Sequence, residues 1–137
     1  MIKTIVVGYD DSASSRRALE RAAMLGKAFE STLIVTSASP VAASPGRSLG
    51  ADPVEDASTD LARLAAARTY LEKQGLAAEY VEALGSPGES IVSVADQRSA
   101  DLIVVGTGER AMLERLFGRA VSDSVAHHAH CDVLIVR

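Results

Sequence analysis

Five short runs rich in valine and isoleucine, separated by longer stretches with helical spacing, set the tightest limit on what this chain can fold into. The runs are KTIVVGY (Lys3–Tyr9), STLIVTSA (Ser31–Ala38), AAEYVEA (Ala77–Ala83), DLIVVG (Asp101–Gly106) and CDVLIV (Cys131–Val136). Three are almost continuously apolar, the pattern of strands buried on both faces of a parallel sheet. AAEYVEA is more polar and suits an edge strand. Between the runs, residues 12–30 gather Ala18, Leu19, Ala22, Ala23 and Leu25 on one broad face, with Arg16, Arg17, Glu20 and Arg21 largely outside it. Ser12 or Ser14 supplies the N-cap. Residues 57–74 repeat the theme through Leu61, Leu64, Ala65 and Leu71, and Gly75 suits the position just past a helix end. Residues 89–98 carry Ile91, Val92, Val94 and Ala95, and a last helix runs from about Leu113 or Arg119 to Ala129. The order βαβαβαβαβ predicts right-handed crossovers and an α/β fold, a parallel sheet with helices on both faces.

The 137 residues fit one domain, 1–137, large enough to bury a core. Residues 39–56, SPVAASPGRSLGADPVED, hold three of the four prolines and are expected to form a long mobile loop. A net charge of −4 argues against a nucleic-acid partner, since no positive excess is available to neutralise phosphates. No apolar run reaches the roughly 18 residues of a membrane span, so no membrane partner is expected. MIKTIVVGYD reads as a first strand rather than a signal peptide. Cys131 is the only cysteine, which rules out an internal disulfide and fits a cytoplasmic place.

DLIVVGTGERA places Gly106, Thr107, Gly108 and Ala111 after a strand and before a helix. This resembles the dinucleotide fingerprint G-x-G-x-x-G/A, whose glycines let backbone N–H groups approach a pyrophosphate. The following strand ends in Arg137, without the acidic residue that a full dinucleotide site places on the ribose. The competing reading is a tight strand-to-helix turn. Asp10, at the end of the first strand, stands at the edge where doubly wound sheets bind ligands. It is either a ribose ligand facing the Gly106 loop across a crevice or a turn carboxylate beside Asp11 and Ser12.

These segments together resemble the universal stress protein family over nearly the whole chain. IVVGYDDSASSRRALERA is similar to that family's first strand and helix, usually written with an Asp-Gly-Ser turn, Asp11 replacing the glycine. GSPGESIVSVADQRSADLIVVGT resembles its third helix and fourth strand. LERLFGRAVSDSVAHHAHCDVLIV resembles its closing helix and strand, with Asp132 where proline is usual. The resemblance implies a five-stranded sheet of order 3-2-1-4-5, with the reversal between strands one and four. In the ATP-binding branch the loop after the fourth strand follows G-x2-G-x9-G-[S/T]. Gly106 and Gly118 match its outer glycines, Gly108 comes one residue early, and Arg119 stands at the hydroxyl position. Ser122 matches the small polar residue that follows. Gly8 falls near the adenine side of the first strand, and Ser37 near the end of the second. The implied cofactor is ATP or another adenine nucleotide, framed by Gly8, Asp10, Ser37, Gly106, Thr107, Gly108, Gly118, Arg119 and Ser122. With the usual hydroxyl missing, Arg119 would grip the terminal phosphates through its charge.

No metal site is recognised in His127, His128 and His130, because adjacent histidines on a helix diverge and no acidic or cysteine ligand joins them at usual spacing. They suit the negative end of the last helix. Cys131 reads as a packing residue. Ser86 and Pro87 in GSPG suit the N-cap and first position of the third helix.

Three functions compete: a small regulatory protein that binds an adenine nucleotide without rapid turnover; a member of the family that has lost the nucleotide and acts by dimerisation and protein contacts; and a slow nucleotide hydrolase or nucleotidyl transferase. No base, metal-binding carboxylate pair or nucleophile is evident, which argues against an enzyme and leaves only slow ATP hydrolysis open. The first reading is preferred because Asp10 and two loop glycines remain. The expected partners are a second copy, paired through the edge strand Cys131–Arg137, and an unidentified regulatory protein. As a bare edge, that apolar, β-branched strand would be an association hazard.

Overall fold

The computed structural model describes residues 1–37, 53–82, 87–107 and 121–137. The elements are β1 (Thr4–Tyr9), α1 (Ala13–Phe29), β2 (Thr32–Ser37), α2 (Pro53–Lys73), β3 (Ala78–Val81), α3 (Pro87–Gln97), β4 (Leu102–Gly106), α4 (Val121–His128) and β5 (Asp132–Val136). All five strands are parallel, in the order β3-β2-β1-β4-β5. The polar run is β3, an edge strand as its composition predicts.

Alternation along the central strands divides the core into two layers. Ile5, Val7, Leu33, Val35, Leu102 and Val104 face α1 and α2, meeting Ala18, Leu19, Ala22 and Ala23 of the first helix and Leu64, Ala67 and Leu71 of the second. Val6, Ile34, Ile103 and Val105 face the other way, onto Ile91, Val92, Val94 and Ala95 of α3 and Val125 of α4. Ile5, Ile91 and Ile103 are fully buried, and each such side chain contributes about 1.5–3 kcal/mol through burial.

Local chemistry sets the ends of the elements. Ser12 caps α1, its Oγ accepting from the Ser15 N–H at 3.2 Å. Pro87 is the first residue of α3, where its missing N–H costs nothing. Past α2, Gly75 has φ 72°, its N–H donates to the Glu72 carbonyl (3.0 Å) and the Leu76 N–H to the Leu71 carbonyl (2.9 Å). That pair of bonds is a Schellman end, and it needs the left-handed backbone that glycine adopts freely. At the start of the sheet, the Asp101 carboxylate accepts from the N–H groups of Lys3 (2.8 Å) and Thr4 (3.0 Å). These two bonds hold the Asp101 carboxyl below the usual carboxylate range.

Two expectations are corrected. Helix α2 begins at Pro53, so residues 53–56 belong to a helix and not to a loop spanning 39–56; proline is tolerated in a first turn. The rest of that stretch, residues 39–52, lies outside the described residues. The buried stripe of α2 is Leu64, Ala67 and Leu71, while Leu61 is 57% exposed and Ala65 is exposed. The spacing i, i+3, i+7 turns one narrow face to the sheet, and Leu61 and Ala65 fall to its side.

Candidate functional site

The pairing of strands is shortest where their order reverses. β1 stays paired with β2 up to Tyr9↔Ser37, and β4 with β5 up to Gly106↔Val136. Between β1 and β4 the ladder stops at Val7↔Val104. Gly8 and Tyr9 therefore lie beyond the paired part of β1 and β4, at the carboxyl edge of the sheet. A crevice at such a switch point is where open α/β sheets bind ligands.

The turn from β1 into α1 forms one wall. The Asp10 N–H donates to Ser15 Oγ (3.3 Å), and Asp10 Oδ1 accepts from the Ser12 N–H (2.9 Å). This is an Asx turn, so the turn reading of Asp10 holds for Oδ1. Its second oxygen has no partner among the described residues. Asp11 has φ 65°, a left-handed conformation that costs an ordinary L-residue roughly 1–2 kcal/mol and that Asp tolerates better than most. Its Oδ1 accepts from the Tyr9 hydroxyl (2.7 Å) and from Arg16 Nε (3.0 Å). The Arg16 hydrogen bond first, and the Tyr9 bond second, hold the Asp11 carboxyl below its ordinary value. Burial and the bond to Asp11 push the Tyr9 phenol up to about 12, so it remains a donor at neutral pH. Sequence reading missed Tyr9 and Arg16. The available signal was a non-glycine residue at the family's glycine position.

Gly106 is explained by packing. A Cβ there would lie 2.6 Å from both the carbonyl carbon and the Oγ of Ser14, and 2.7 Å from the Ser14 carbonyl oxygen. The end of β4 is thus pressed against the first turn of α1, which only glycine allows. The Thr107 N–H donates to the Val136 carbonyl (2.9 Å), so it is used within the sheet. Gly8 lies against α3, where a Cβ would meet Ile91 Cδ1 at 2.7 Å. Ser37 and its neighbour Thr36, at the end of β2, are buried, and neither hydroxyl has a hydrogen-bond partner among the described residues. Thr36 is a third residue that sequence reading did not single out. Ser122 is buried in the first turn of α4 as described. Gly108, Gly118 and Arg119 lie outside the described residues. The site thus brings Asp10, Gly106 and Thr107 to one sheet edge, with Ser37 one strand away.

Elsewhere, His128 Nδ1 donates to the Ser124 carbonyl (2.9 Å), close to the helix end it was expected to serve. His130 Nδ1 pairs with Asp96 Oδ1 at 3.1 Å. Cys131 is partly buried, and burial raises its thiol above the ordinary value, away from thiolate reactivity. Among the described residues, no group of three or more His, Cys, Asp or Glu side chains is placed to hold a metal ion. Nor is any described helix long and apolar enough to cross a membrane.

The universal stress protein family model matches residues 1–137. The chain belongs to that family. Universal stress protein Rv1636 of Mycobacterium tuberculosis is 36% identical over 143 residues, covering 98% of this chain and 95% of that protein. A universal stress protein solved in complex with cAMP matches with a TM-score of 0.76 and 32% identity, over 99% of this chain and 97% of that one. The universal stress protein from Archaeoglobus fulgidus in complex with dAMP matches with a TM-score of 0.69 and 26% identity, over 100% of this chain and 98% of that one. The universal stress protein sheet order 3-2-1-4-5, implied by resemblance, is the order observed. The positive φ of Asp11 also gives a physical reason for the Asp-Gly-Ser turn usual in the family: its middle residue is left-handed here.

Proposed function

We propose that this universal stress protein is a small regulatory protein that binds an adenine nucleotide at the carboxyl edge between β1 and β4 and does not turn it over rapidly. The observation that carries this reading is its likeness, across almost its full length, to a relative solved with cAMP. The early end of the β1–β4 ladder supports it, because it falls at the switch point. Asp10 is the ribose ligand in this reading, using the carboxylate oxygen that the turn leaves free. The buried Ser37 hydroxyl, without a partner among the described residues, supports it too, since a buried hydroxyl without a partner costs about 1–3 kcal/mol and a base edge nearby would supply one. The protein is read as cytoplasmic and non-enzymatic, acting through an unidentified regulatory partner.

Calorimetry with ATP, ADP, AMP and cyclic AMP tests this reading. Saturable binding of at least one nucleotide, with one site per protomer, is the expected result. No heat from any of the four at millimolar concentration would overturn it and leave a family member that acts by protein contacts.

A second copy is the proposed partner. β5 is an edge strand, and Ile135 on it is 40% exposed. Pairing across a two-fold axis would satisfy its outward backbone groups and cover that side chain.

A further inference from the structure

The backbone at Asp11 controls a group one residue away. Asp10 Oδ1 holds the Ser12 N–H at 2.9 Å, and the peptide carrying that N–H follows Asp11. Moving Asp11 out of φ 65° would swing the Ser12 N–H away and release the Asp10 carboxylate from its turn. A glycine would sit at this φ without strain. Asp11 has a Cβ, and two side chains from different elements bind the same oxygen of it. The Tyr9 hydroxyl comes from the end of β1 at 2.7 Å, on a side chain that is 3% exposed and therefore fixed in the core. Arg16 Nε comes from the first turn and a half of α1 at 3.0 Å. Both contacts anchor Asp11 to elements that the core already holds.

We propose that Tyr9 and Arg16 are positioning residues for the nucleoside: by clamping Asp11 in its left-handed conformation, they aim the Asp10 carboxylate at the ribose hydroxyls. The clamp takes over a task that a glycine would perform through its own conformational freedom. This inference rests on the nucleotide reading above and adds the means by which Asp10 is aimed.

The test measures calorimetric affinity for the tightest-binding adenine nucleotide and for its analogue without free ribose hydroxyls, 2′,3′-dideoxy for ATP, ADP or AMP and 2′-deoxy for cyclic AMP. The proteins are the wild type, Tyr9→Phe, Arg16→Met, Asp11→Gly and the double variant Tyr9→Phe/Asp11→Gly. Circular dichroism confirms that each is folded. Tyr9→Phe and Arg16→Met are expected to weaken the ribonucleotide about three- to ten-fold, the scale of one lost hydrogen bond. Neither should change affinity for the deoxy analogue, which gives Asp10 no free ribose hydroxyl to hold. In the Asp11→Gly background, Tyr9→Phe should cause no further loss, because glycine keeps the turn unaided. A merely structural role for Tyr9 would weaken both ligands alike. Equal losses with the two ligands, or wild-type affinity in Tyr9→Phe, overturn the clamp while leaving the nucleotide reading intact. Failure of the wild type to bind any adenine nucleotide overturns both.

Discussion

Gly106 shows how one residue type serves two incompatible explanations. In the glycine loop it reads as a position cleared for a ligand. Its missing Cβ instead makes room for the backbone of Ser14, at 2.6 Å. Gly106→Ala should therefore destabilise the protein itself, with no nucleotide present, by about 1–3 kcal/mol, the usual range for overpacking a tight contact. Urea denaturation of the ligand-free protein checks this. An unchanged midpoint would return the glycine to the ligand. Gly8 carries the same lesson more mildly, because Ile91 fills the space beside it and can shift.

Between elements, the starts of β1 and β4 are joined through one carboxylate. Asp101 accepts from two successive N–H groups of the neighbouring strand, and those bonds depress its pKa. A carboxyl whose folded pKa lies below its unfolded value adds stability above the unfolded value. That contribution is lost as pH falls through the folded value. Asp101→Ala should thus lower the urea midpoint at pH 7, and the gap from wild type should close in strong acid. Melts of both proteins at neutral pH and well below the ordinary carboxylate range decide it; a gap that persists in acid would mean that the charge is not the source.

At the scale of the whole molecule, the outer edge of β5 is the seam proposed for pairing with a second copy. The Val136 carbonyl accepts from the Thr107 N–H, so residue 136 points its backbone groups inward to β4. In a parallel ladder the alternate residues point outward, which assigns the outward backbone groups to Val133 and Ile135. Ile135→Pro removes an outward donor without breaking the inner ladder, a place where edge strands tolerate proline. Light scattering should show this variant as a monomer and the wild type as a dimer. A wild-type monomer at micromolar concentration, or an unaffected dimer in the variant, would contradict the interface.

Much of the architecture was legible in the chain because it depends on local pattern. Continuous apolar runs marked the buried strands, the polar run marked the β3 edge, and Ser12, Gly75 and Pro87 marked helix ends through their own backbone chemistry. The sheet order was not legible in periodicity, since β1, β2 and β4 share the same two-faced pattern; it came through family resemblance. Asp10 was legible as a strand-end carboxylate, but its two oxygens differ only once Ser12 is folded against one of them. Which apolar residues of α2 are buried, why Gly106 must lack a side chain, where the β1–β4 ladder ends and what holds Asp11 were all decided by the tertiary structure. Each depends on groups brought together across elements, and neither propensity nor spacing along a single element encodes that contact.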